Sequence, residues 1–423
     1  MVEKVLMKGN EALAESAVRA GCKLFFGYPI TPQTELAAYM AKRLPKIGGT
    51  YLQAESEIAA INMVYGAAAA GVRVMTSSSS PGISLKQEGI SYMIGADLPA
   101  LIINIQRGGP GLGSIQASQS DYWQATRAVG HGDGQIIVLA PSTVQEMADL
   151  VAIAFDLGDK YRTPVMILAD GLLGQMMEPV VLPEEIMPEE IMPEAGGSLD
   201  GEAVGSLSTK TAIDKPWALT GHGNTRQKNI INSMHLDPQE LEESVIERFQ
   251  RYSIIKQNEQ RVECYLTEDA EITLVSYGAA SRVARSAVNK ARAEGVKAGL
   301  IRLISLWPYP QKQIDQQVAT TGHFLSVEMS MGQMVDDLRL VVDGRRPVHF
   351  FGHTGGIVPT PDEVAAAIMR INAGEHVVWP ADARPASAVE PATDAGSATD
   401  AGSATDAGSA ADARPASVIG GAQ

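Results

Sequence analysis

The sequence predicts an α/β protein with a doubly wound parallel sheet in a first domain and a second, smaller α/β domain. Predicted helices and strands alternate from residue 8 to residue 169, which is typical of a parallel sheet with helices on both faces. Residues 98–105 are mostly apolar, as expected of a strand that is covered on both sides. A hydrophobic content of 45% with 41 Gly but only 7 Phe and 4 Trp favours close packing of small residues between such layers.

The first domain is predicted to span residues 1–235, with an irregular segment at 178–235. Apolar residues three and four apart indicate helices, and short apolar runs bounded by turn residues indicate strands. The predicted helices cover 8–22, 33–44, 57–71, 83–95 and 144–157, and the predicted strands cover 24–26, 51–53, 72–76, 98–105, 135–140 and 165–169. Residues 77–82, Ser-Ser-Ser-Ser-Pro-Gly, are predicted to form a polar turn.

The remainder of the chain is predicted to hold a helical linker, a second domain and a tail. The linker covers residues 236–270, and the second α/β domain covers 271–378, a length within the usual range for a domain. The tail, residues 379–423, repeats the sequence Thr-Asp-Ala-Gly-Ser-Ala three times. Low-complexity sequence of this kind buries too little apolar area to offset the entropy of ordering, so the tail is predicted to be disordered.

Charge and cysteine content exclude several classes of function. The formal charge of −15 argues against a nucleic-acid partner, because phosphate backbones bind to basic surfaces. The 2 cysteines cannot ligate an iron–sulfur cluster or an all-cysteine zinc site, each of which takes about four thiolates. Any redox centre is therefore expected on another chain.

The absence of a signal sequence and of a long apolar run favours a cytoplasmic protein.

Three familiar cofactor motifs are absent or incomplete. Residues 109–114, Gly-Pro-Gly-Leu-Gly-Ser, lack the third glycine of a dinucleotide-binding fingerprint, and the chain contains no phosphate-binding P-loop sequence. Gly132, Asp133 and Gly134 resemble the start of the motif that binds magnesium and the diphosphate of thiamine diphosphate. The asparagine that closes that motif is missing, since the next one is Asn224. No metal site is therefore predicted on this chain.

Three polar residues lie where predicted strands or helices meet loops. Glu57 begins a helix of small apolar residues, where it either takes part in chemistry or compensates charge at the helix N-terminus. Arg107 follows a strand, where its guanidinium can pair with a carboxylate in two parallel hydrogen bonds or form a surface salt bridge. Thr31 lies in a turn made rigid by two prolines, where it can donate to a ligand or cap the next helix.

The motifs around these residues resemble one family. The sequences Tyr-Pro-Ile-Thr-Pro at 28–32, Glu-Ser-Glu-Ile-Ala-Ala at 55–60 and Arg-Gly-Gly-Pro at 107–110 resemble those of the α subunit of 2-oxoacid:ferredoxin oxidoreductases. The resemblance extends over about residues 1–375 and includes the second domain. Residues 109–124 are similar to the branched-chain (2-oxoisovalerate) enzymes rather than to the 2-oxoglutarate group.

The resemblance implies a fold and a reaction. It implies a thiamine-diphosphate-binding domain of the pyrimidine type and a smaller domain like the C-terminal domain of transketolase. The implied reaction is oxidative decarboxylation of a 2-oxoacid to an acyl-coenzyme A and CO2, with electrons passed to ferredoxin. A β subunit would share the cofactor and carry Mg²⁺ and a 4Fe–4S cluster, and small γ and ferredoxin-like δ subunits would complete the complex.

Alternatives to this implied function stay open. They are the same reaction on 2-oxoglutarate or another 2-oxoacid, a non-catalytic interaction subunit of such a complex, and a thiamine enzyme without redox chemistry.

The same resemblance implies roles for individual residues. Glu57 would bind atom N1′ of the cofactor's aminopyrimidine and act in catalysis, and Pro29 and Ile30 would contact the cofactor. Substrate binding would fall to three residues, namely Thr31, Arg107 and Tyr28. In the second domain, Glu328 and the pair Gly355 and Gly356 are expected at domain or subunit contacts rather than in catalysis.

Overall fold

The computed structural model describes residues 4–183 and 215–379. Along these ranges the strands are β1 (Val5–Lys8), β2 (Leu24–Gly27), β3 (Thr50–Gln53), β4 (Val74–Ser78), β5 (Leu101–Gln106), β6 (Ile137–Leu139), β7 (Val165–Asp170), β8 (Met177–Val180), β9 (Val262–Tyr265), β10 (Ile272–Tyr277), β11 (Ala298–Leu303), β12 (Ser305–Trp307), β13 (His323–Glu328) and β14 (Val348–Gly352). Most of the predicted tail and part of the predicted irregular segment lie outside the described residues.

The helices lie mainly between these strands. They are α1 (Gly9–Arg19), α2 (Thr34–Arg43), α3 (Glu57–Ala69), α4 (Ser80–Gly95), α5 (Tyr122–Thr126), α6 (Val144–Tyr161), α7 (Gly171–Gln175), α8 (Pro238–Asn258), α9 (Gly278–Ala293), α10 (Gln311–Val318), α11 (Met334–Val342) and α12 (Pro361–Asn372), with a short 3₁₀ helix at Leu44–Ile47. None of the helices in the described ranges is long and apolar enough to cross a membrane.

The first sheet is a parallel sheet with one antiparallel edge. Its strand order is β12-β6-β7-β5-β4-β2-β3, and every pairing except that of β12 with β6 is parallel. Every residue of β5 and β7 is buried, as the apolar run at 98–105 predicts for a strand with helices on both faces. The predicted α/β class with a doubly wound sheet is confirmed. The antiparallel edge was not predicted, because β12 comes from a distant part of the chain.

The second sheet has the order β14-β13-β10-β11-β9. Strand β9 is antiparallel to β11 and pairs Val262 with Leu303 and Tyr265 with Leu300. The region predicted as a helical linker thus contains helix α8 and then an edge strand of the second sheet. Hydrogen bonding to β11 decides this conformation, and a contact between such separated segments is invisible to local periodicity.

Two predicted boundaries near the first sheet are wrong. The serines at 77–82 do not form a turn, because Ser77 and Ser78 pair with Ile103 and Asn104 as part of β4, and helix α4 begins at Ser80. Thr31 does not cap a helix either, since α2 begins at Thr34 with Gln33 at the N-cap position. At Ser77 and Ser78, pairing with β5 overrides the turn preference of serine.

Hydrogen bonds join the second domain to the first. Gln119 donates from Nε2 to the Tyr277 carbonyl at 2.8 Å and accepts from the Met329 amide at 2.9 Å. Tyr122 donates its hydroxyl hydrogen to Asp337 at 2.6 Å. Glu328 bonds within its own domain, where it accepts hydrogen bonds from two serine hydroxyls and from three amides at the start of α11.

Candidate active site at the carboxyl edge of the first sheet

The candidate site lies where parallel strands of the first sheet end. Strands β2, β3, β4 and β5 run in the same direction, so the loops after them meet at one edge. Thr31, Ser79 and Arg107 lie in these loops, and Glu57 begins helix α3, which follows the loop after β3. The structure therefore places the three residues singled out from the sequence on one edge of one sheet.

The turn at residues 28–32, here called the proline turn, presents most of its side chains outward, while Pro32 is buried. Tyr28, Pro29 and Thr31 are exposed, and Ile30 is half-buried. The turn is held from below by Gln33, which donates from Nε2 to the Tyr28 carbonyl at 3.3 Å. Four residues predicted to touch cofactor or substrate thus face away from the core, as a ligand or a second chain would require.

Arg107 holds the proline turn by its backbone. Its Nη1 atom donates to the Thr31 carbonyl at 2.9 Å and its Nη2 atom to the Leu112 carbonyl at 3.1 Å. The residue is only 8% exposed, and its Nε atom is buried without a hydrogen-bond partner among the described residues. Because a guanidinium has five N–H groups, this one keeps donors for a ligand after binding both carbonyls. Within residues 4–183 and 215–379, Arg107 forms no salt bridge with a carboxylate.

A polar cluster supports the backbone of Arg107. The Arg107 amide donates to Ser80 Oγ at 3.1 Å, and Ser80 donates to Asp121 Oδ2 at 2.6 Å. Asn104 donates from Nδ2 to the same Asp121 oxygen at 2.9 Å. Burial raises the pKa of Asp121, and its bonds to Ser80 and Asn104 together with the Arg107 charge oppose that rise.

Glu57 is the first residue of α3 and is 5% exposed, whereas Glu55 is exposed. Ser56 caps the helix by accepting from the Ala59 amide at 3.1 Å. The Glu57 carboxyl lies against Gly82 of α4, where a Cβ atom would come 2.6 Å from Glu57 Oε1. The helix start thus buries the Glu57 carboxyl, whereas Glu55 precedes the N-cap Ser56 and stays exposed.

Two buried titratable residues of this region were missed by sequence reasoning. Lys86 of α4 is fully buried, and burial lowers its pKa to about 7 while the Glu57 charge raises it. Asp121 is the second. The sequence contained a signal for Lys86, because Gly82, Lys86 and Gly89 are spaced to share one face of a helix. In the structure this face packs closely on α3, since a Cβ atom at residue 89 would lie 2.5 Å from Ile61 Cγ2.

Several buried polar atoms of the site lack a hydrogen-bond partner in the part of the chain that the structure describes. They are Ser78 Oγ, Ser79 Oγ, Asn104 Oδ1 and Arg107 Nε. Ser78 and Asn104 are paired neighbours on β4 and β5, and Ser79 and Arg107 follow directly after those strands. Buried polar atoms are usually hydrogen-bonded, so this group is a candidate site for a polar ligand. No set of three metal-ligating side chains is found among the described residues.

The fold and the site together define the class of α/β proteins that bind a polar cofactor at the carboxyl edge of a parallel sheet. The family model described as "Pyruvate flavodoxin/ferredoxin oxidoreductase, thiamine diP-bdg" matches residues 15–247. A second model, "Pyruvate:ferredoxin oxidoreductase core domain II", matches residues 270–364. The chain belongs to the 2-oxoacid:ferredoxin oxidoreductase family, and the family predicted from the motifs is confirmed.

Individual relatives agree with this assignment. Ketoisovalerate oxidoreductase subunit VorB of Methanothermobacter thermautotrophicus is 49% identical over 351 residues, which cover 83% of this chain and 93% of that protein. The 2-oxoglutarate synthase subunit KorA of the same organism is 36% identical over 386 residues, covering 88% and 100%.

A solved structure is also similar. The 2-oxoglutarate:ferredoxin oxidoreductase of Magnetococcus marinus, determined with 2-oxoglutarate, coenzyme A and succinyl-CoA bound, matches with a TM-score of 0.72 and 28% identity. The match covers 87% of this chain and 65% of that one, so this chain spans about two thirds of the length of that protein.

Proposed function

We propose that this chain supplies the aminopyrimidine side of a thiamine diphosphate site in a 2-oxoacid:ferredoxin oxidoreductase. The reaction is the coenzyme A-dependent oxidative decarboxylation of a 2-oxoacid to an acyl-coenzyme A and CO2, with electrons passed to ferredoxin. The observation that carries this proposal is the gathering of Glu57, Arg107 and the proline turn around unpartnered buried polar atoms at one sheet edge.

The proposed substrate is a branched-chain 2-oxoacid, with 2-oxoisovalerate as the first candidate. Identity to the ketoisovalerate subunit is 49%, against 36% to the 2-oxoglutarate subunit of the same organism. The sequence at residues 109–124 supports the same choice. The alternative substrate is 2-oxoglutarate, which the Magnetococcus marinus structure contains.

Thiamine diphosphate fits the residues present. When bound, it supplies a thiazolium carbon that adds to the 2-oxo group and receives the electron pair freed by decarboxylation. Glu57 binds atom N1′ of the aminopyrimidine and holds a proton there, which suits a carboxyl that is buried at a helix start. Pro29 and Ile30 contact the same ring through the outer face of the proline turn.

Arg107, Thr31 and Tyr28 are the proposed substrate residues. Arg107 donates its remaining N–H groups to the substrate carboxylate, and the exposed Thr31 hydroxyl donates to the carboxylate or the 2-oxo oxygen. Tyr28 lines the pocket with its exposed ring. The bond from Arg107 to the Thr31 carbonyl sets the spacing between these two donors, so substrate binding needs little rearrangement.

Partner subunits complete the proposed enzyme. A β subunit carries Mg²⁺, the diphosphate site and a 4Fe–4S cluster, since the 2 cysteines of this chain are too few to ligate one. Small γ and ferredoxin-like δ subunits are further proposed partners. Cys264 is exposed and free, which suits the reducing cytoplasm as the proposed location.

We propose the domain boundaries given above, 1–235, 236–270, 271–378 and 379–423, with the strand Val262–Tyr265 counted as part of the second domain because it pairs with that sheet.

Copurification tests the proposed function. The tagged chain, expressed with its neighbouring genes, should bring down an iron-containing complex that reduces a viologen dye with a 2-oxoacid and coenzyme A. A panel of 2-oxoacids should give the highest kcat/KM with 2-oxoisovalerate. The isolated chain should bind thiamine diphosphate weakly by calorimetry, because half of the site is missing. A complex without iron would favour a non-redox thiamine enzyme, and tight binding by the chain alone would contradict the shared site.

A further inference from the structure

Lys86 is a buried lysine that bonds to no carboxylate among residues 4–183 and 215–379. Its side chain is 0% exposed, and its Nζ atom donates to Thr76 Oγ1 at 2.6 Å and to the Ser77 carbonyl at 3.1 Å. Both acceptors are neutral and belong to β4. Removing a lysine from water is costly unless an opposite charge lies near, so its position requires an explanation beyond packing.

Glu57 is the charged group that acts on Lys86 from the elements around it. Strand β4 offers the neutral Thr76 and Ser77, and helix α3 offers Glu57, whose charge favours the protonated lysine. Glu57 lies against Gly82, and Lys86 follows Gly82 by one helical turn on α4. The carboxyl and the ammonium thus lie near the same face of α4, where α3 approaches closely.

A chain of buried hydrogen bonds leads from Lys86 to the proline turn. Ser77 accepts from Lys86 with its carbonyl oxygen. Its hydroxyl group donates to Gln33 Oε1 at 2.6 Å. Gln33 in turn donates from Nε2 to the Tyr28 carbonyl at 3.3 Å. Lys86 is therefore linked to two separate parts of the site. Charge links it to Glu57 at the start of α3, and hydrogen bonds link it to the proline turn.

We propose that Lys86 is a positioning residue that keeps the Glu57 carboxyl oriented toward the cofactor ring. This inference rests on the proposed function of Glu57. The ammonium charge attracts the Glu57 carboxyl in a site of low dielectric constant, so the carboxyl stays directed at N1′. Lys86 itself contacts neither cofactor nor substrate, because Glu57 and β4 lie around it.

Kinetics of the complex test the proposal. Lys86→Met keeps the length of the side chain and removes its charge, and it should lower kcat at least about 10-fold while KM for the 2-oxoacid changes less than about 2-fold. Calorimetry should show weaker binding of thiamine diphosphate to the same complex. Lys42→Met, at an exposed position of α2, is the control and should leave all three quantities unchanged.

Thermal unfolding of the complex gives a second, independent measure. Glu57→Gln and Lys86→Met should each lower Tm, since each leaves one charge buried without the opposite charge near it. The decrease in Tm of the double variant should be smaller than the sum of the two single decreases. If the complex fails to assemble with Lys86→Met alone, the proposal is still tested, because the complex should then assemble with the double variant.

The outcomes distinguish the role proposed for Lys86 from the function proposed for the chain. If Glu57→Gln is inactive and Lys86→Met has normal kcat and normal cofactor binding, the role of Lys86 is wrong and the proposed function stands. If Glu57→Gln keeps normal turnover, the proposed function is wrong as well. Additive losses of Tm in the double variant would overturn the coupling between the two residues.

Discussion

Gly82 of α4 lies directly against the carboxyl group of Glu57. A Cβ atom at residue 82 would come 2.6 Å from Glu57 Oε1 and closer still to Ser78 Oγ. The two helices can bring the carboxyl to the sheet edge only because residue 82 has no side chain. This contact ties the chemistry of the site to the packing of α3 on α4.

Gly82→Ala should therefore displace Glu57. We expect a loss of cofactor affinity of about 10-fold or more and a lower Tm, because contacts that short force side chains to shift at a cost of roughly 1–3 kcal/mol. Calorimetry on the complex measures the first effect, and differential scanning measures the second.

The matched control is Gly66→Ala on α3, where a Cβ atom would meet nothing within 4 Å. Alanine is the better helix former, so this variant should keep activity and gain up to about 1 kcal/mol of stability. Equal behaviour of the two variants would contradict the role given to Gly82.

Glu57→Gln should abolish 2-oxoacid-dependent dye reduction and leave the complex assembled. Glutamine has the size of glutamate but cannot hold a proton at N1′, and loss of such a group typically lowers rates about 10²- to 10⁴-fold. Steady-state assays with size-exclusion chromatography check both parts. Glu55→Gln, two residues earlier and exposed, should be close to wild type.

Arg107→Ala should raise KM for the 2-oxoacid by about 10- to 100-fold, since hydrogen bonds to a charged group contribute roughly 1.5–3 kcal/mol. Its loss also frees the Thr31 carbonyl, so kcat should fall too. Arg107→Lys restores the charge without the planar guanidinium group, so its KM should lie between those of the wild type and of Arg107→Ala. An exposed arginine of α12, changed as Arg370→Ala, serves as the control, and an unchanged KM for Arg107→Ala would remove its carboxylate role.

His349 should make the stability of the protein depend on pH. Burial and then the neighbouring His376 and His323 lower the pKa of His349 from 6.5 to about 4. The unfolded chain therefore takes up a proton before the folded protein does, and stability contributed by neutral His349 is lost as pH falls from 6.5 towards 4.

The variant His349→Gln cannot titrate, so its Tm should fall less steeply over this pH range than that of the wild type. His131→Gln, at an exposed position, should follow the wild-type curve. Parallel curves for His349→Gln and the wild type would show that His349 does not carry this dependence.

Much of the fold follows from local sequence. Short apolar runs separated by helical periods predicted strands β2 to β7 of the first sheet, because strands buried on both faces leave no polar alternation. Placement of Thr31, Glu57 and Arg107 after strands was also predictable, and in a parallel sheet such positions meet at one edge. The family followed from three short motifs around those residues.

Contacts between distant segments were not predictable in this way. Strand β12 joins the first sheet although its neighbours in sequence belong to the second, and β9 turns part of an expected linker into a sheet edge. Local patterns show which face of a helix or strand is apolar. The pairings of β12 and β9 depend instead on which sheet edge is free to accept another strand.

The sequence by itself therefore determined the α/β class, the family and the loop that carries each of the three candidate residues. Only the tertiary structure decided how these residues are held, with Arg107 on the Thr31 carbonyl, Glu57 against Gly82 and Lys86 buried near them. The physical reason is that charge and hydrogen-bond energies depend on distance and burial, which packing sets between helices and strands far apart in the chain.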